Sequence, residues 1–296
     1  YAYCMFLETT LFLKTMIILA AQLGLSLATC FYCLNSARKA YENNTTFFGY
    51  SFRGAVNMKN ELDLIPYVEI PKIFPVRMTL IDEKTNPKAA REIWANNRNE
   101  VIGYLKDGYG HSPQSSGNSG LLMLMVIWFL SLGACTFFAA SGLSTAAGLS
   151  LFTISSLTFG PLLAYIMLEM DENDGFRALK ITLLVTLITG FIGYSDFYSF
   201  SESKFLALFL IGSLFGLIIF EFIRIFRGFS RQAIRMKAIF GAFIFSVFIL
   251  FDFNLLKKKG DIAEYNNWET AYEIAFTIYL DIINLLLEIL DAMGNS

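Results

Sequence analysis

The chain has 296 residues, 55% of them hydrophobic and 16% charged, with 30 phenylalanines and a net charge of −2. Soluble domains carry nearer 25% charged residues, so the composition excludes an ordinary soluble domain and points to a polytopic membrane protein. The slight acidic excess leaves no electrostatic case for binding nucleic acid.

The sequence opens on Tyr1 and not on methionine, which implies a start further upstream. The first apolar run, Thr15 to Leu34, lacks the small-residue cleavage site of a signal peptide and reads as span one. Lys14 is placed to snorkel at its start, and Arg38 and Lys39 follow its end. Residues 1–34 thus form a first helix with a short N-terminal segment, 35–120 a polar extramembrane insertion, and 121–296 six further spans. The insertion is too long for a plain loop. Its stretch LDLIPYVEIPKIFPVRMTLID is rich in strand formers but interrupted by Pro66, Pro71 and Pro75, which predicts short edge strands. Asn86 as cap and Pro87 at the first position predict a helix running to about Lys106, and HSPQSSGNSG is a flexible linker. Overlapping sequons at Asn43 and Asn44 read as accidental.

Spans two to six are expected near Leu121–Ala140, Ala147–Leu168, Ala178–Tyr194, Phe205–Phe222 and Ala238–Leu256. Gly160-Pro161 is expected to bend span three. Gly212 and Gly216 have the small-xxx-small spacing that lets helices approach. Glu221 and Arg224 are three apart and should pair at the membrane edge. Arg224, Arg227, Arg231, Arg235 and Lys237 make a basic connection into span six, inside which lies Asp252.

The seventh run, Glu273 to Asp291, carries acids. Glu273, Thr277, Asp281, Asn284, Glu288 and Asp291 recur at steps of four, four, three, four and three, which puts them within roughly an 80° arc of one helix face. An ionised carboxylate at mid-membrane costs at least about 2.5 kcal/mol, so the stripe has to face a bundle interior, a water-filled cavity or a cation. Glu288 and Asp291 lie near a helix end, where solvation accounts for them; otherwise Glu273, Thr277, Asn284 and Glu288 are candidates to line a pathway. Asp281 is too deep for solvation at an end.

Asp252 lies about 7 Å inside Lys257, and Asp281 about 12 Å inside Glu273 on the same rise per residue. The connection between spans six and seven is short, so both depths run from one membrane face. A tilt of roughly 20° absorbs the difference. The two carboxylates can therefore meet. Close carboxylates do not both ionise cheaply, so the pair would titrate as a unit. With one shared proton it clamps two helices together; fully ionised it repels, or recruits a cation, and oxygen-only ligands suit calcium. Asp252 and Asp281 are the candidate pH-sensing, pathway and calcium-contacting residues, with calcium as cargo and no resident cofactor.

Other chemistries lack their residues. His111 is the only histidine and sits in a polar segment, so a zinc hydrolase or an intramembrane Ser–His protease has no histidine at membrane depth. Cys4, Cys30, Cys33 and Cys135 have no metal spacing with histidine. No nucleophile–base constellation predicts an enzyme, and the seventh span has no lysine for a retinal Schiff base.

YLDIINLLLEIL at Tyr279–Leu290 resembles the final-span signature of the Bax inhibitor family, the transmembrane Bax inhibitor motif proteins. LFDFNLL at Leu250–Leu256 resembles the end of that family's sixth span, and TFGPLLAYIM at Thr158–Met167 the third span of its bacterial members. YSDFYSF, with Ser195 and Asp196, is similar to its motif between spans four and five, and FLETTLFLKTMIILAAQL to its opening. The match reaches spans one to seven and omits the insertion. The resemblance implies an all-α membrane protein of seven transmembrane helices with the last helix central. It implies a pH-sensitive calcium leak governed by an aspartyl pair, Asp252 and Asp281 by motif position, in a bacterial cytoplasmic membrane. It also implies a second class of function, modulation of a membrane-bound AAA protease or restraint of cell death, with the N-terminal segment and the insertion as contact surface. Some members latch the aspartate with an arginine in the second span, and Leu121 to Ala140 has none. The positive-inside rule puts the Arg224–Lys237 connection in the cytoplasm, whereas the family resemblance implies a cytoplasmic N-terminus, the orientation preferred here.

Overall fold

The computed structural model describes residues 9–43, 45–56, 62–69, 71, 74–80, 90–111, 119–142, 144–170 and 172–294. Among them are eight α-helices: α1 (Leu11–Glu42), α2 (Arg98–Lys106), α3 (Ser119–Ser141), α4 (Thr145–Met170), α5 (Glu172–Tyr194), α6 (Lys204–Phe226), α7 (Arg231–Gly260) and α8 (Trp268–Gly294). Six of them, α1 and α3 to α7, are long and apolar enough to cross a membrane. The protein is an all-α membrane protein in its transmembrane part. The expected count of seven rests on α8, whose 27 residues reach about 40 Å but carry the acid stripe.

The chain divides into two compact units, one of Tyr1–Leu25, Ser131–Ser156 and Asp174–Ser296, the other of Ser26–Leu130 and Leu157–Asn173. In the first, α7 and α8 make the most extensive helix pairing, with α6 against α7. α8 is enclosed along almost its whole length, from Thr270 to Leu290. By contrast, only 11% of the membrane-length windows of α3 and α6 is buried, and their apolar side chains face outward. That division is the one a bilayer imposes: lipid accepts leucine and phenylalanine on the outer helices, so only polar groups are forced inward. The face of α8 away from its acids is aromatic. Phe152 of α4 meets Tyr279 edge-on at 4.8 Å and Phe276 at 5.2 Å, and the Tyr272 hydroxyl donates to the Cys135 carbonyl at 3.0 Å.

In the second unit, β1 (Tyr50–Val56) pairs antiparallel with β2 (Leu62–Glu69), with a bulge between Ser51 and Phe52. β3 (Val76–Leu80), β4 (Glu92–Ala95) and β5 (Tyr109–Gly110) form a second antiparallel sheet in the order β4-β3-β5. Val76 and Met78 alternate inward and join Ala95, Val101, Ile102, Leu105 and Tyr109 in a small core. β3 is thus a central strand, not an edge. Its prolines lie before it, so every ladder N–H is present.

The helix expected from Asn86 is corrected: β4 occupies part of that run, and α2 starts only at Arg98. The reason is an N-cap at Asn97. The Asn97 side chain accepts from the Glu100 N–H at 2.9 Å, and the Glu100 carboxylate accepts from the Asn96 N–H at 2.8 Å. Asn86, Pro87, most of the linker and Asn44 lie outside the described residues. Two smaller expectations are also corrected. Lys14 does not snorkel: it is 9% exposed and donates to the Asn266 carbonyl at 2.8 Å and side chain at 3.1 Å. Gly212 and Gly216 face open space, because α6 turns that side outward. Pro161 lies inside the continuous helix α4. Cys30, Cys33 and Cys135 are buried and, among the described residues, form no disulfide; Cys4 lies outside the described residues.

Candidate functional site

Asp281 lies in the middle of α8, and Asp252 lies two turns from the end of α7; their exposures are only 8% and 6%. The two carboxyl groups face each other within hydrogen-bonding reach, and among the described residues Oδ2 of each is buried without a partner. A carboxylate accepts and never donates, so a bond between the two requires one proton in the pair. Both side chains line a cavity of about 410 Å³ flanked by α6, α7 and α8. Thr277 and Asn284 add polar atoms to its wall; Leu210, Phe245 and Leu280 make it otherwise apolar.

The remaining stripe positions divide between the two helix ends. Glu273 is exposed and lies 3.4 Å from Lys259. Glu288 is buried, and the Lys237 ammonium donates to both its oxygens, at 2.8 and 3.0 Å. Lys237 also pairs with Glu221. Arg224 donates to Asp291 at 2.9 and 3.3 Å and lies 3.4 Å from Glu221. Neither Glu273 nor Glu288 reaches the cavity wall. Solvation therefore does not account for Glu288: a five-membered charge network ties the ends of α6 and α8 to the start of α7. Gly241 makes room for it, since a Cβ there would strike the Glu288 carboxyl.

A second network closes the other end. Asn254, fully buried, donates to the Gly193 carbonyl at 3.1 Å and to Asp196 at 3.0 Å, and accepts from the Ser201 N–H and hydroxyl at 2.9 and 2.8 Å. Gly193 lets α5 touch the α7 backbone at Leu250, where any side chain would collide. Asp196 adopts a left-handed φ of 54°, which asparagine and aspartate tolerate best among residues with side chains. The Asn254 amide, with Lys258 beside it, holds the Asp196 carboxyl below its ordinary range. Sequence reasoning missed Lys237 and Asn254. The first lies in the same basic run as the exposed arginines, and only its distant partner Glu288 sets it apart. The second stood in plain view two residues after Asp252.

Among the described residues no group of three or more His, Cys, Asp or Glu side chains is placed to hold a metal ion. The carboxylates of two residues fall short of the roughly six to eight oxygens that calcium takes.

Residues 101–296 match the family model Bax1-I, Inhibitor of apoptosis-promoting Bax1. The chain belongs to this family. The match takes in α3 to α8 and both aspartates, and leaves α1 and β1 to β4 outside. From Arabidopsis thaliana, Protein LIFEGUARD 4 is 33% identical over 144 residues, covering 46% of this chain and 56% of the relative. Protein LIFEGUARD 1 is 32% identical over 151 residues, covering 50% and 59%, and Protein LIFEGUARD 2 is 30% identical over 144 residues, covering 46% and 58%. The chain thus spans under three fifths of the length of these curated relatives. As a Bax inhibitor family member with six long apolar helices, it is an integral, multi-pass membrane protein.

Proposed function

We propose that this Bax inhibitor family protein is a pH-sensitive calcium leak, with Asp252 and Asp281 as its proton-controlled element. One observation carries the reading: two acids face each other at membrane depth on a shared cavity, each with a buried oxygen that no described residue bonds. Buried polar groups are normally bonded, and intramembrane acids normally sit on ion or proton routes. With one proton shared, the pair binds α7 to α8. With both carboxylates ionised, their repulsion needs a cation, and calcium supplies two charges to an oxygen site. Thr277 and Asn284 would help replace water around the ion along the cavity wall. The bacterial cytoplasmic membrane expected from the third-span resemblance is part of this proposal, beside relatives that are plant proteins.

The test is calcium-dye flux in liposomes carrying the full chain at pH 6 and pH 8. Wild type should leak at different rates at the two values, and Asp281→Asn should remove the difference. Identical behaviour of wild type and variant at both values sinks the reading.

A second reading, an interaction protein acting on a membrane protease or a cell-death pathway, draws on the insertion. That segment has a core of its own and presents Trp94 at 59% exposure on β4. Trp94→Ala would reduce recovery of a bound partner under this reading and leave calcium flux untouched.

A further inference from the structure

Cations at the two ends of α7 are used differently. At its C-terminal end Lys257 pairs with Asp261 at 2.7 Å, Lys258 with Asp196 at 3.2 Å, and Lys259 with Glu273 at 3.4 Å. At its N-terminal end Glu221, Glu288 and Asp291 are all engaged by Arg224 and Lys237. Arg227, Arg231 and Arg235 are exposed and, among the described residues, their side chains have no ion-pair or hydrogen-bond partner. Three positive charges are left uncompensated where α6 ends and α7 begins.

Their surroundings select the partner. Arg231 and Arg235 are one turn apart on one face of α7. The next positions down that face, Ile239 and Phe243, are 52% and 59% exposed. On α6 the exposed Ile219, Phe222 and Phe226 lead directly to Arg227. Phe229 stacks on Phe220 at 4.6 Å and pins the turn between the helices. Each guanidinium therefore tops an outward apolar face. An acidic peptide would engage the charges alone. A phospholipid engages both parts, its acyl chains along the apolar face and its phosphate in the guanidinium fork.

We propose that Arg227, Arg231 and Arg235 form a headgroup-binding edge that holds anionic phospholipids of the surrounding bilayer. The test uses the full chain reconstituted in phosphatidylcholine, with spin-labelled phosphatidylglycerol or phosphatidylcholine as probe and the motionally restricted fraction as readout. Wild type should prefer phosphatidylglycerol by about fivefold, weakening with salt. The combined R227Q/R231Q/R235Q variant should fall to near parity, and R227K/R231K/R235K should keep most of the preference. K257Q/K258Q/K259Q, which alters only partnered cations, should match wild type. A wild type with no preference, or a triple glutamine variant that keeps it, overturns the proposal. Arginine-dependent capture of a Glu-rich peptide without preference between the lipids also overturns it.

Discussion

Two buried contacts join α7 to α8, and they are built on opposite principles. Glu288 and Asp281 have the same exposure, 8%, on the same helix. Glu288 is met by Lys237, which satisfies both its oxygens. Asp281 is met by another acid, and among the described residues neither it nor Asp252 makes an ion pair. A buried acid with a cation is a structural tie whose removal is costly. A buried acid with an acid is poised, because its energy depends on a proton or a cation that the protein does not itself provide. The difference teaches that two carboxylates of equal burial can be tied or left poised, according to the partner each one meets.

The comparison can be broken most severely at Lys237. Lys237→Met strands Glu288 and should lower unfolding stability in mixed micelles by about 3 kcal/mol, the usual cost of orphaning one member of a buried pair. Asp281→Asn keeps the shape and removes a like charge, so its stability should match or exceed wild type. A large loss in Asp281→Asn would mean that the acid pair is a structural tie too. A gentler break is Gly241→Ala. Its methyl group would displace the Glu288 carboxyl from Lys237, costing about 1–3 kcal/mol by overpacking without removing any charge. An unchanged unfolding midpoint would show that the network adapts.

The smallest effect is at the far end, where Asp196 is held below its ordinary range by Asn254. A depressed carboxyl contributes stability above its unfolded value, about pH 4, and loses it as pH falls through the folded value. The unfolding midpoint of wild type should therefore approach that of Asp196→Asn as pH drops from 6 toward 3. Parallel curves would remove Asp196 from the account.

Much of the transmembrane part was legible because apolar runs of bilayer length have one solution. Asp281 was legible for the same reason, since a lone acid amid isoleucine and leucine has no cheap place in lipid. What stayed hidden depended on distant partners. Nothing local distinguishes Lys237, which turns inward to Glu288, from Arg235, which remains exposed. Glu288 read as solvated because its cation lies 51 residues away in sequence. The helix from Asn86 failed because one asparagine before a proline offered a plausible cap, while the reciprocal Asn97–Glu100 bonds formed further on. Gly212 and Gly216 had contact spacing but no contact, whereas Gly193 and Gly241, in no recognisable motif, mark tight approaches.

The central claim is that Asp252 and Asp281 act as one titrating unit, and a double-mutant cycle on calcium flux tests it most directly. The ratio of leak rates at pH 6 and pH 8 would be measured for wild type, Asp252→Asn, Asp281→Asn and the double variant. If the pair is one unit, either single change abolishes the pH response and the second adds nothing. Independent, additive effects of the two substitutions, or a pH response that survives in the double variant, would contradict it.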